Sequence, residues 1–188
     1  MHENPPPGRV VPAVTLVLGG ARSGKSTYAQ RLAEQHEKVL FLATATRSDE
    51  EMTAKIARHR DDRPQHWSTV EEPVAIAQVI RDCGPSHQIV LIDCLTLWAA
   101  NLLGRHGNED APQAMLDAAI DDLCAVLAAP PCAIALVSNE VGSGIVPAYA
   151  IGRRYRDLLG EINQRVAQAA TDAVLMVAGL PLVLKQSS

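Results

Sequence analysis

Aromatic residues are nearly missing from this chain, whose 188 residues include two Trp, three Tyr and one Phe. Proteins that hold single-stranded nucleic acid stack bases on aromatic faces along a basic groove. A net charge of −4 and the lack of basic runs remove the other half of that device, so an extended nucleic acid is not an expected partner. Long apolar runs are missing too. No stretch approaches the roughly 20 residues that cross a bilayer, and the opening MHENPPPGRVVPA has neither the cationic start nor the apolar centre of a secretory signal. Cys83, Cys94, Cys124 and Cys132 are scattered without a C-x-x-C spacing, which speaks against a zinc site and a disulfide framework. Four reduced packing thiols and a cytoplasmic protein are the expectation, and no internal repeat is visible.

What the chain does have is apolar material, 47% of its residues, enough to bury one sizeable core. Residues 1–13, with Pro5, Pro6 and Pro7, read as a loose leader, and residues 14–188 as a single domain. Runs rich in Val, Ile and Leu at Val14–Gly19, Lys38–Thr44, Gln88–Asp93, Ala133–Asn139 and Ala173–Ala178 read as strands buried on both faces. His66–Glu71 and Leu182–Lys185 are candidate edge strands. Helical spacing marks Ser26–Gln35, Asp49–Arg60, Pro73–Asp82, Ala111–Leu127 and Ile151–Ala170. In the last of these, Tyr155, Leu158, Leu159, Ile162 and Val166 form one apolar stripe. Leu102–Asp110 reads as a polar connector. Strands alternating with helices predict an α/β fold with a mostly parallel central sheet flanked by helices on both faces.

The segment GGARSGKS follows the first apolar run directly and opens the first helix, the setting in which a G-x-x-x-x-G-K-[ST] pattern carries weight. Gly19, Gly20, Ala21, Arg22, Ser23 and Gly24 form the turn, whose glycines let backbone N–H groups approach phosphate oxygens. The helix behind it presents its positive end. Lys25 adds a full charge at the β- and γ-phosphates, and Ser26 is a ligand for Mg²⁺. Arg22 either touches phosphate or faces water. Asp93, at the end of an apolar run, has the position of an acid that holds the magnesium shell, with a helix cap as the bland alternative.

A phosphate loop alone is compatible with many chemistries. There is no guanine-reading N-K-x-D, and a small-molecule transferase is the leading class. The alternatives are a P-loop kinase without nucleotidyl transfer and a nucleotide-gated binding protein. One further group stands out. Ser48 and Glu51 form a capping box, with Asp49 and Glu50 in the first turn, and Met52, Ile56 and His59 then share one helical face. His59 is either a hydrogen-bonded core histidine or, flanked by Arg60 and Arg63, a nucleophile for phosphorus. Asn139, Glu140 and Gly142, in a loop after an apolar strand, are either substrate contacts or parts of a structural turn.

Taken together, GGARSGKS, ATATRSDEEMTAKIARHRDDRP, DCLTLWAANLL, SNEVGSGIVP, RRYRDLLGEINQRVA and VAGLPLVLK resemble the bifunctional adenosylcobinamide kinase / adenosylcobinamide-phosphate guanylyltransferases of cobalamin biosynthesis. The resemblance implies a RecA-like P-loop NTPase fold and two reactions. Adenosylcobinamide is phosphorylated on its aminopropanol hydroxyl by ATP or GTP, and GMP from GTP is then transferred to the new phosphate, giving adenosylcobinamide-GDP. It implies that His59 carries the guanylyl group, with Lys25 assisting. Ala43, Thr44, Ala45, Arg60, Asp61, Asp62, Arg63 and Glu71 would border the guanine nucleotide, and Ser26 and Asp93 would hold Mg²⁺. A homo-oligomer, a trimer, is also implied.

Overall fold

The computed structural model describes residues 12–45, 64–105 and 111–186. The first 11 residues of the leader, the expected helix Asp49–Arg60, and residues 106–110 of the expected connector lie outside them. Seven strands form one sheet: β1 (Val14–Gly19), β2 (Val39–Ala43), β3 (Ser68–Glu71), β4 (Ile89–Asp93), β5 (Ala133–Asn139), β6 (Asp172–Val177) and β7 (Leu180–Lys185). Their order is β3-β2-β4-β5-β1-β6-β7. Every pairing is parallel except β6 with β7. The runs of β1, β2, β4 and β5 are almost continuously apolar because both of their faces are covered.

Among the described residues five α-helices lie in the connections: α1 (Lys25–Ala33), α2 (Ile76–Cys83), α3 (Leu95–Arg105), α4 (Gln113–Ala128) and α5 (Ala150–Ala169). The sheet divides the core into two layers. On one face Val17, Phe41, Leu91, Ala135 and Val137 pack with Ala29 and Ala33 of α1. On the other, Leu16, Leu40, Val90, Ile92, Ile134 and Leu136 pack with Ile76, Ile80, Trp98, Leu116, Ile120, Leu159 and Ile162 of the remaining helices. This is the expected α/β architecture, a mostly parallel central sheet with a helical layer on each face.

Differences from the sequence reading have local causes. The helix expected from Pro73 begins at Ile76 because the Glu72 carboxylate accepts the N–H groups of Val74 and Ala75 at 2.9 and 2.8 Å, holding that stretch as a cap. The connector expected from Leu102 starts later. Leu102 and Leu103 are buried in α3, continuing the apolar series of Leu95, Trp98 and Ala99. Pro112, extended at φ −61°, sets the start of α4. The stripe on α5 is core, as expected: Leu158, Leu159, Ile162 and Val166 are buried. The edge strand β7 is longer than its apolar motif, beginning at Leu180 after a two-residue turn. Ala178 and Gly179 in that turn both have positive φ, 52° and 81°, the combination that matches the twist of a tight hairpin.

Candidate active site

β1, β2, β4 and β5 all end at one edge of the sheet, and the phosphate loop leaves β1 there. Its shape follows from close approaches. A Cβ on Gly19 would sit 2.3 Å from Ser23 Oγ and 2.9 Å from the carbonyl oxygen of Met176, so only glycine fits. Gly24, the residue before α1, has φ 93°, and Arg22 has φ 57°; only for the glycine is that region free of a Cβ penalty. The Ser23 N–H closes the turn on the Gly20 carbonyl at 3.3 Å, and Tyr28 N–H bonds to Gly24 O at 2.9 Å as the helix begins. Lys25 Nζ donates to Gly20 O at 3.1 Å, which sets the ammonium over the loop. Ala21 and Arg22 are exposed, and Lys25 and Ser26 are half-buried at the helix end. Backbone N–H groups, a helix N-terminus and a lysine thus converge where a polyphosphate would sit.

Neighbouring strands brace this loop. Glu140 N–H donates to Gly19 O at 3.2 Å, and Gly179 N–H, at the tip of the β6–β7 hairpin, donates to Ser23 O at 3.0 Å. The hairpin contact joins segments far apart in the chain. Its signal was present in Ala178-Gly179, a turn placed between two apolar runs.

The acidic end of β4 lies two strands away. β5 separates β1 from β4, and Asp93 pairs in register with Ala43 on one side and Val137 on the other. Its side chain shares a face with Leu91, whose layer packs under α1. Asp93 and Ser26 therefore lie on the same side of the sheet. Mg²⁺ takes one or two protein oxygens and fills its shell with water and phosphate, and a serine hydroxyl with one carboxylate suits that demand. Among the described residues no cluster of three or more His, Cys, Asp or Glu forms a closed metal cage.

Beyond β2 the main chain is clamped. Thr44 is fully buried; its hydroxyl donates to Cys94 O at 2.8 Å and accepts from Cys94 N–H at 2.9 Å, while its N–H donates to Asp93 O. Asn101 Nδ2 reaches the carbonyls of Thr44 at 2.7 Å and Pro73 at 3.0 Å. Trp98 Nε1 donates to Val74 O at 2.8 Å. The two cross-links tie α3 to the edge of the sheet, and Asn101 and Trp98 had no assigned role in the sequence reading. Glu71 is exposed at the end of β3, level with Ala43, and Ala45 is half-buried. The Cys94 thiol is pushed up by burial and by the Asp93 charge beside it.

The loop after β5 carries hydrogen bonds of its own. Glu140 Oε1 accepts the N–H of Gly142 at 2.5 Å, so Glu140 and Gly142 form a turn of their own. Asn139 is different. Its N–H donates to Thr96 Oγ1 at 2.9 Å and its carbonyl accepts from Asn163 Nδ2 at 3.0 Å, while its side-chain Oδ1 is buried without a partner. Ser138 Oγ donates to Asn163 Oδ1 at 2.6 Å. Asn163 was legible as the polar residue on the buried stripe of α5, four residues after Leu159.

The structure thus gathers Gly19–Ser26, Ala43, Thr44, Ala45, Glu71 and Asp93 at one sheet edge. His59, Arg60, Asp61, Asp62 and Arg63 lie outside the described residues.

Comparison with known proteins fits this site. Residues 15–184 match the family model for cobinamide kinase / cobinamide phosphate guanyltransferase. The bifunctional adenosylcobalamin biosynthesis protein CobP of Pseudomonas aeruginosa is 46% identical over 171 residues, covering 90% of this chain and 96% of that protein. The bifunctional adenosylcobalamin biosynthesis protein CobU of Escherichia coli is 41% identical over 179 residues, covering 90% of this chain and 98% of that protein. Among solved structures, the P4 protein of bacteriophage phi6 in complex with ADP aligns with a TM-score of 0.47 at 13% identity, covering 90% of this chain; the chain spans about half, 52%, of that protein. With its phosphate loop inside the matched span and the match running almost from end to end, the chain belongs to the cobinamide kinase / cobinamide phosphate guanyltransferase family.

Proposed function

We propose that this chain is a bifunctional transferase of cobalamin biosynthesis. It phosphorylates adenosylcobinamide with ATP or GTP, then transfers GMP from GTP to the new phosphate to give adenosylcobinamide-GDP. The observation that carries the reading is the family match over residues 15–184, which includes a fully formed phosphate cradle at Gly19–Ser26. Residues 14–188 act as one domain in this reading.

In the nucleotidyl half, an imidazole nitrogen of His59 attacks the α-phosphorus of GTP. The N–P bond forms, the bond to the α,β-bridging oxygen breaks, and pyrophosphate leaves with the electron pair. A phosphate oxygen of the phosphorylated substrate then attacks the same phosphorus, the N–P bond breaks, and the imidazole is regained. Lys25 and the loop N–H groups neutralise charge on the leaving pyrophosphate. Mg²⁺, held by Ser26 and Asp93, would supply further charge neutralisation. Ala43, Thr44, Ala45, Arg60, Asp61, Asp62, Arg63 and Glu71 surround the guanine nucleotide in this reading. Its support is that Ala43, Glu71 and Asp93, at the ends of β2, β3 and β4, stand level at the edge that bears the cradle.

The remaining parts fit the same picture. The loop after Glu140 exposes Ile145, Val146 and Tyr149, apolar surface of the kind a corrin macrocycle covers. The edge strand β7 exposes apolar residues on both faces, which supports a homo-oligomer; the trimer rests on the family resemblance. No described helix is long and apolar enough to cross a membrane. Four free cysteines agree with a reducing, cytoplasmic setting.

The test is a label. After incubation with α-phosphorus-labelled GTP and Mg²⁺, the denatured protein should retain label that acid releases, and His59→Ala should retain none. Absence of label on a wild-type protein that still phosphorylates cobinamide would remove the covalent route and leave a kinase alone.

A further inference from the structure

Asn139 ends β5 between the strand that carries the phosphate loop and the strand that ends in Asp93. Its main chain is fixed on both sides, by Thr96 and by Asn163. Its side-chain Oδ1 is buried and accepts nothing. Buried amide oxygens are normally paired, and one without a partner beside a ligand site calls for a physical account.

Position narrows the donor. Asn139 pairs in register with Gly19, whereas Asp93 pairs with Val137, two residues earlier on β5. Asn139 therefore stands about 6–7 Å farther out along the sheet than the level of Asp93. Val137 and Leu91 both lie in the layer under α1, so Asn139 and Asp93 project from the same face, the one on which the loop meets its helix. Triphosphate oxygens accept hydrogen bonds; they suit the loop N–H groups and Lys25 and do not suit an amide oxygen. An acceptor beside the loop and beyond the acid is matched by an O–H group.

We propose that Asn139 Oδ1 accepts a hydrogen bond from the alcohol being phosphorylated and thereby aims the alcohol oxygen at the γ-phosphorus of the bound nucleoside triphosphate. The inference rests on the bifunctional reading above and assigns a residue to its kinase half. The alcohol oxygen forms the new O–P bond. The bond from the γ-phosphorus to the β,γ-bridging oxygen breaks, and the nucleoside diphosphate leaves with that electron pair. An amide oxygen is too weak a base to keep a proton, so the hydroxyl proton is released to water. Asn139 supplies orientation. In the guanylyl half the nucleophiles are an imidazole and a phosphate oxygen, and neither needs this acceptor.

The experiment uses the full chain with Mg²⁺, adenosylcobinamide and, separately, adenosylcobinamide phosphate. In Asn139→Ala and Asn139→Ser, kcat for phosphorylation should fall about 100-fold while KM for the nucleoside triphosphate stays within about twofold. Labelling by α-labelled GTP, and GMP transfer to the already phosphorylated substrate, should keep wild-type rates. Asn139→Asp, which keeps an oxygen in place, should recover most of the kinase rate. Equal loss of both half-reactions in either shortened variant at an unchanged melting midpoint overturns the assignment, because a structural or metal-shell role predicts that pattern. An unchanged kinase rate overturns it as well. If the alanine variant melts early, the serine variant, which keeps a polar group at the strand end, decides. A wild-type chain that shows neither activity sinks the bifunctional reading, an outcome distinct from selective survival or loss in the variants.

Discussion

A Cβ placed on Gly24 would stand 3.2 Å from the Cα of Gly179, so the phosphate loop and the β6–β7 hairpin meet backbone to backbone. The contact is extended by the bond from Gly179 N–H to Ser23 O. The loop is therefore shaped both by its own turn and by a strand pair that follows more than a hundred residues later.

Replacing Gly24 by alanine should show this. The residue has φ 93°, a region that costs an L-residue roughly 1–2 kcal/mol, and its new methyl group would press on a backbone with no side chain to yield. We expect a stability loss of about 1–3 kcal/mol in urea unfolding and much weaker binding of a fluorescent guanine nucleotide. Gly179→Ala is the control. Its φ is 81° but its Cβ would meet nothing within 4 Å, so it should lose stability by backbone strain and keep most of its nucleotide affinity. Wild-type affinity in Gly24→Ala would show that the close approach does not matter to the cradle.

Alkaline pH should weaken the fold. Burial pushes the Cys132 thiol up to about 11 and the Tyr155 hydroxyl up to about 12. The unfolded chain releases these protons at their ordinary values, 9.0 and 10.0, while the folded chain still holds them. Their contribution is complete below about pH 9 and is lost as pH rises through the folded values. Melting midpoints should fall between about pH 9 and 12, the span between the ordinary and raised values, and Cys132→Ala should flatten the first part of that fall. A midpoint that rises over this span would contradict the burial of both groups. On the acid side, the Arg81 guanidinium holds the Asp122 carboxyl below its usual range, so this contribution is present above that range and lost as pH falls. The side chains are 38% and 50% exposed, which makes it a small effect.

Self-association should run through β7. Leu180, Leu182, Val183 and Leu184 are exposed, with Val177 beside them at the end of β6. A sheet edge with apolar side chains on both faces is a surface that a lone monomer does not leave bare. Sedimentation of the wild-type chain should give a trimer, and Val183→Lys should move it toward monomer by placing a charge within that edge. Unchanged assembly in the variant would place the subunit contact elsewhere.

Much of this was legible because the inner strands are buried on both faces, which leaves an unbroken apolar run in the sequence. The phosphate loop was legible because glycine is required where Gly19 approaches Ser23 and Met176. The start of α2 was misplaced because the Glu72 cap overrides the local helical pattern. Gly104 and the polar residues after it make Leu102 and Leu103 look like connector, although their spacing from Trp98 places them inside. Asn101 and Thr96 were not legible. Their roles depend on carbonyl and N–H groups brought close by pairing of distant strands, and spacing along a single segment carries no trace of that.

The insertion of β5 between β1 and β4 sets a span of about 10 Å, twice the distance between adjacent strands, from the floor of the cradle to the carboxylate. That width belongs to the peptide ladder and is indifferent to side-chain replacement. Evolution or engineering can alter the chemistry here by changing what stands in the gap, and the gap itself is as wide in an inactive variant as in the working enzyme.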